Sequence, residues 1–192
     1  MNIKLVALIA GLAVASIGII AGFGMTAATA NNGEVEWELA EQVLRAEIGA
    51  DTTFGPFGVE FEFDGDTWTV ELQLPFGRAE KELDLSNGDD AKIELRFNED
   101  GVPIEAEAEV KAFDVEGCGE ISIEWKWQGG EYRTQVRTFF NEEGDPIKRQ
   151  DSLEVNEVEI VEAEVCGLNL LGEVSDLDEA NIGMRDTFEP AE

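Results

Sequence analysis

The chain has 192 residues, with 43 Asp or Glu against 13 Lys or Arg, no His, and a formal net charge of −30. Such a field repels phosphate, which excludes nucleic acid as a partner, and the lack of His removes the usual hydrolytic triads. The apolar fraction of 43% is that of a globular chain, so this is not a disordered acidic tail protein.

The chain begins with Met1–Lys4, a short segment with one Lys, followed by Leu5–Met25, which is uncharged and mostly apolar. A membrane-spanning helix needs about 20 apolar residues and a cleaved signal about 7–15. Gly11, Gly18, Gly22 and Gly24 weaken the later part of this hydrophobic helix, and Ala28-Thr29-Ala30 fits a small-x-small peptidase site. Residues 1–30 are read as a cleaved secretory signal, with a retained N-terminal membrane anchor through residues 5–25 as the alternative. Lys4 on the cytoplasmic side agrees with the positive-inside rule. Both readings place the rest of the chain outside the cell: an exported β-domain at 31–172 and an acidic, aperiodic, flexible tail at 173–192.

Within that domain, Glu34–Ile48 carries Trp37, Ala40, Val43, Leu44 and Ile48 at helical spacing, with Gly49 as a C-cap. This predicts one short amphipathic helix lying on a sheet. Asp51–Gly58 is a loop whose Phe54 and Phe57 are expected to plug the end of a barrel rather than make a contact site. From Val59 onward the chain alternates apolar and polar residues, as half-buried strands do. Val59-Phe61-Phe63, Trp68-Val70-Leu72-Leu74 and Ile121-Ile123-Trp125-Trp127 form inward series. Val158-Ile160 and then Val161-Ala163-Val165 change phase by one residue, which predicts a β-bulge near Ile160.

One pattern occurs twice: Phe97-Asn98-Glu99-Asp100-Gly101-Val102-Pro103-Ile104 and Phe140-Asn141-Glu142-Glu143-Gly144-Asp145-Pro146-Ile147. Asn and Gly supply tight-turn conformations, and each Pro suits the first residue of a returning strand. The unit is therefore a strand–turn–strand hairpin used twice. A calcium loop fits poorly: with Gly101 at the sixth position of an EF-hand the first is Arg96, and with Gly144 there the first is Phe139. The motif resembles the hairpins of YD-type surface repeats. The expected fold is all-β, an antiparallel sandwich or curved half-barrel of about nine strands, with the Trp37 helix as a cap. A helix followed by a long antiparallel sheet is also similar to the half-barrels of lipoprotein carriers, which implies an apolar ligand held in a concave face.

Cys118 and Cys166 are the only cysteines. An even count in an exported chain points to one disulfide, closing a loop for roughly 3–4 kcal/mol on the chain-entropy model. Two thiolates without His do not complete a zinc site, so no metal, cofactor or catalytic residue is assigned. The composition resembles that of haloarchaeal proteins: at molar salt the Debye length falls to about 3 Å and self-repulsion at this charge is screened. A calcium-rich extracellular setting is the second explanation. The expectation is a non-catalytic exported or cell-surface protein of a halophile, a β-domain that binds an envelope protein, a glycan or an apolar molecule. An apolar-ligand carrier and a structural subunit of a surface or viral assembly are the alternatives. A carboxylate-based glycosidase ranks last, because 43 acids make chance carboxylate pairs common.

Overall fold

A computed structural model describes residues 37–174 and 177–190. In chain order the elements are β1 (Trp37–Thr52), β2 (Gly55–Phe63), β3 (Trp68–Leu74), β4 (Gly77–Glu82), β5 (Asp90–Phe97) and β6 (Pro103–Val115). They continue with β7 (Gly119–Trp127), β8 (Tyr132–Phe140), β9 (Pro146–Val165), β10 (Leu168–Asn169), the one-turn helix α1 (Leu171–Val174) and β11 (Leu177–Pro190). The protein is all-β. One open, antiparallel, eleven-stranded sheet runs β4-β3-β2-β1-β11-β9-β7-β6-β5, with β8 and β10 also paired to β9. Residues 1–30, read above as a signal or an anchor, lie outside the described residues, and none of the described helices is long and apolar enough to cross a membrane.

The alternation read from the sequence becomes the burial pattern. In β3, Trp68, Val70 and Leu72 are buried, while Glu71 and Gln73 are exposed. In β6 the inward series is small: Ala106 pairs with Trp127 and Ala108 with Trp125. Both indoles are almost fully buried, so small residues on one strand make room for large ones on the next. A single hydrophobic cluster collects Ile48, Phe61, Val70, Ile93, Val110, Trp125, Val155 and Ile182, residues from strands at both ends of the sheet order. The sheet therefore folds over one core.

Its two ends meet because β4 and β5 are consecutive in the chain. Lys81 Nζ on β4 lies 2.6 Å from the fully buried carboxylate of Asp89, just before β5. Lys81 also donates to the carbonyl of Phe113 on β6. Asp89 accepts further bonds from the backbone N–H of Phe113 and Asp84, at 2.8 and 2.9 Å. Burial alone would raise the Asp89 pKa, but Lys81 and the two N–H groups outweigh it and hold the carboxyl below its ordinary range.

Both duplicated hairpins form, on the same plan. Asn98 N–H donates to Val102 O and Asn141 N–H to Asp145 O, each at 2.9 Å. Each asparagine side chain accepts from that same residue's N–H, at 2.9 and 2.8 Å. Gly101 and Gly144 sit at φ of 76° and 92°, where a side chain is strained. Each turn is followed by a register shift that skips one residue, Ile104 in the first and Ile147 in the second. The expected bulge is also present: the β7–β9 register passes from Glu124–Glu162 to Trp125–Ile160, leaving out Val161.

Two expectations are overturned. The predicted amphipathic helix at Glu34–Ile48 is strand wherever it is described: Trp37–Ile48 belongs to β1, between β2 and β11. Leu44, Ala46 and Ile48 also fit period two. Ala46 and Ile48 enter the core while Val43 is buried on the opposite face, and pairing on both sides overrides helical spacing. Likewise, the stretch read as a flexible acidic tail, 173–192, supplies the end of α1 and all of β11. Ala180, Ile182, Met184 and Asp186 face one way, and Asp186 interrupts the apolar series that identifies a strand. The loop expected at Asp51–Gly58 shrinks to the turn Thr53–Phe54 between β1 and β2: Phe57 lies in β2, paired with Ala50 and buried, and Phe54 stays exposed.

Candidate functional site

The Cys118–Cys166 disulfide is closed, with a Cα–Cα distance of 4.3 Å and a sequence separation of 48. It ties the β6–β7 turn to the end of β9, and Cys166 N–H also donates to Glu120 O at 2.9 Å. The bridge is a staple across one end of the sheet. The groups able to meet a ligand gather at the other end of β9.

There β9 runs between β8 and β11, and β11 lies against β1. On the core-facing side, the apolar ladder of Val155–Ala180 and Leu153–Ile182 gives way to polar residues, with Asp151 beside Met184 and Arg149 beside Asp186. Gln42 pairs with Asp186 from β1, and its Nε2 lies 3.4 Å from Met184 Sδ. Arg149 Nε holds Asp151 at 2.9 Å. Asp186 is only 7% exposed, and its Oδ1 has no hydrogen-bond partner. Burial, then repulsion from Asp151, lifts the Asp186 pKa from its ordinary 3.8 to about 6, with Arg149 and Gln42 opposing. Burial also raises Asp151, against the pull of Arg149.

The opposite face of the same strands carries a groove of about 450 Å³. Gln135, Ser152, Gly183, Arg45 and Glu62 stand in register across β8, β9, β11, β1 and β2. The next row is Arg137, Gln150, Arg185 and Val43, and the row on the other side brings Asn181 beside Glu47. Ser152 and Gly183 make a low floor, and the long side chains of Arg137, Gln150 and Arg45 stand around it. Arg45 is already engaged, 3.1 Å from Glu47 and 2.6 Å from Glu60. Burial raises the Glu60 pKa, and Arg45 opposes that rise. Phe139, one row beyond Arg137, offers a half-exposed ring with Lys148 Nζ 5.5 Å above its centroid.

The lining sets three arginines, Arg45, Arg137 and Arg185, against Glu47 and Glu62, in a chain where acids outnumber bases 43 to 13. Guanidinium, amide, hydroxyl and carboxylate groups together supply donors and acceptors in every direction. Asp186 is not part of this lining, and its shifted titration comes from being sealed in the sheet rather than from an open cleft. Among the described residues, no group of three or more His, Cys, Asp or Glu is placed to hold a metal ion. The asparagines of the duplicated turns spend their side-chain oxygens on backbone N–H groups. No family model, curated protein or solved structure matches the chain.

None of the polar groove residues was assigned a role from the sequence, and Val43 was placed on a helix. The available signal was β8 itself, where Arg133, Gln135 and Arg137 alternate with Thr134, Val136 and Thr138. That is a strand polar enough on both sides to have no core face.

Proposed function

We propose that this chain is a non-catalytic, exported or cell-surface module of a salt-adapted organism, and that its β-domain binds a polyhydroxylated ligand, an oligosaccharide, in the groove across β8, β9, β11 and β1. The observation that carries this reading is the groove lining: Arg137, Gln135, Gln150, Asn181 and Ser152 around a Gly183 floor, in a chain of net charge −30. At molar salt, attraction between exposed charges is screened within about 3 Å. Recognition there rests on directed hydrogen bonds, which paired amides and guanidinium forks supply. The Phe139 ring at the groove's end adds an apolar face of the kind that packs on a sugar ring.

We read the open sheet as a curved half-barrel, because Lys81, Asp89 and Phe113 draw its β4 and β5 ends together. The concave face gives the carrier alternative less support. Trp68, Trp125 and Trp127 fill it, and the apolar hollow beside Phe54, Phe57, Leu74 and Leu170 measures about 20 Å³. That is space for about one water molecule, not for an acyl chain.

The test is calorimetric titration of the full chain in molar salt with neutral and uronate oligosaccharides, repeated on Gly183→Leu. A Cβ at Gly183 meets nothing closer than Asp151 O at 3.8 Å, so the larger side chain fills the groove without strain. Saturable binding that Gly183→Leu abolishes at unchanged unfolding temperature is the expected result. Equal binding by the variant, or no binding across a broad oligosaccharide panel, overturns the reading.

A further inference from the structure

The edge of β8 is unlike every other part of this surface. Among the described strands, β8 pairs with β9 alone, so its outer backbone edge faces no strand. Every residue from Arg133 to Phe140 is exposed, on both faces. Val136 is 47% and Phe140 57% exposed. An open edge of this kind is a template for pairing unless charge, Pro or brevity blocks it. The ends of the main sheet are blocked that way: β5 carries Lys92, Glu94 and Arg96, and β4 is short and carries Arg78, Glu80 and Glu82. β8 reads Tyr-Arg-Thr-Gln-Val-Arg-Thr-Phe-Phe and is, among the described strands longer than two residues, the one with no Asp or Glu.

We propose that β8 pairs antiparallel with β8 of a second copy of this chain, about a two-fold axis at Val136, joining two sheets into one. A chain of net charge −30 repels its own copies over most of its surface, so an acid-free edge is where two of them come close. The strand is complementary to itself in that register. Val136 faces Val136, Thr134 faces Thr138 and Tyr132 faces Phe140 on one side of the ladder. On the other side, Arg133 faces Phe139 and Arg137 faces Gln135. Aromatic and β-branched cross-strand pairs are favourable, and no like charges stand opposite one another. Moving the axis by one residue sets Arg133 against Arg137, or Arg137 against itself, so the charges select Val136. The interface is isologous and closed, which limits the assembly to a dimer. It also sets the two grooves side by side on one continuous face, since Gln135 and Arg137 line each of them.

Cysteine cross-linking in the full chain tests this, because the native cysteines are both in the disulfide and leave no free thiol. In the proposed register two Val136→Cys thiols are directly opposed, with Cβ atoms roughly 5 Å apart. Two Thr134→Cys thiols are displaced along the ladder by roughly 13 Å. The expected result is near-complete covalent dimer from Val136→Cys under mild oxidation, little from Thr134→Cys alone, and dimer again when Thr134→Cys is mixed with Thr138→Cys. All three positions are exposed, so the substitutions leave the fold intact. Failure of Val136→Cys to cross-link, or equal cross-linking by Thr134→Cys alone, overturns the proposal. So does a monomeric sedimentation coefficient for the unmodified chain in molar salt at every concentration up to aggregation. Each outcome is independent of saccharide binding.

Discussion

The hairpin β5–β6 turns at Asn98 and the hairpin β8–β9 turns at Asn141, with the same backbone bonds, the same glycine position and the same one-residue bulge after the turn. Away from the turn they diverge: β5, which leads into the first turn, buries Ala91 and Ile93, whereas β8, which leads into the second, has no fully buried residue. β6 buries Ala106, Ala108, Val110 and Ala112 opposite Trp127, Trp125, Ile123 and Ile121 of β7, and its outer face is laced by Lys92 and Lys126 to Glu107 and by Arg96 to Glu105. In β8 only Tyr132 is half-buried, against Trp127, and the strand carries no acid. The turn is a local property, settled within a few residues by Asn and Gly. Burial is settled by what the sheet order brings opposite each strand, and charge follows exposure: β6 neutralises its acids in ion pairs, and β8 excludes them.

The sharpest test of that contrast is to remove bulk beside each hairpin. Trp125→Ala, opposite Ala108, is expected to cost about 3–5 kcal/mol in denaturant unfolding at fixed salt. Val136→Ala on β8 is expected to move stability by less than about 0.5 kcal/mol. Comparable losses would break the comparison by showing that β8 is load-carrying in the monomer. A smaller effect belongs to the polar patch behind the second hairpin. The raised pKa of Asp186 means that the folded state holds a proton the unfolded chain has released, so stability falls as pH rises from about 4 to about 6. Asp186→Asn is expected to flatten that slope and to gain about 1–2 kcal/mol at pH 7. A slope unchanged in the variant would assign the titration elsewhere. The smallest effect concerns the shared turn. Gly101→Ala and Gly144→Ala both force a side chain to positive φ, and each is expected to cost about 1 kcal/mol. The two losses should agree within about 0.5 kcal/mol despite the different surroundings. A large disparity would show that the turns are not equivalent.

Much of the fold was legible where one face of a strand is uniformly apolar. Trp68-Val70-Leu72 and Ile121-Ile123-Trp125-Trp127 declare themselves, as do the Asn-Gly turns, the phase change at Val161 and the cysteine pair. β1 was not, because Val43, Leu44 and Ile48 fit a helix by spacing and become a strand only through neighbours far away in sequence, such as Ala180 opposite Ile48. β11 was not, because Asp186 breaks the inward series of Ala180, Ile182 and Met184 where the strand leaves the core and enters the polar patch. The groove could not be read at all. Arg45, Gln135, Gln150, Ser152 and Gly183 come from four separate strands, and only the register places them in contiguous rows.

The position of β11 has a consequence for how the molecule is made. A chain synthesised or threaded amino end first lays down β1, β2, β3 and β4 as successive neighbours, and later β5, β6 and β7, but β1 and β9 have no direct pairing. The join between them is Leu177–Pro190, which follows every other described strand. Without it, β1 and β9 keep unpaired edges and the two halves are held together only through the core and the Lys81–Asp89–Phe113 tie between β4 and β6. A stop just before Leu177 removes the one strand that pairs with both β1 and β9 and so opens the sheet at its middle.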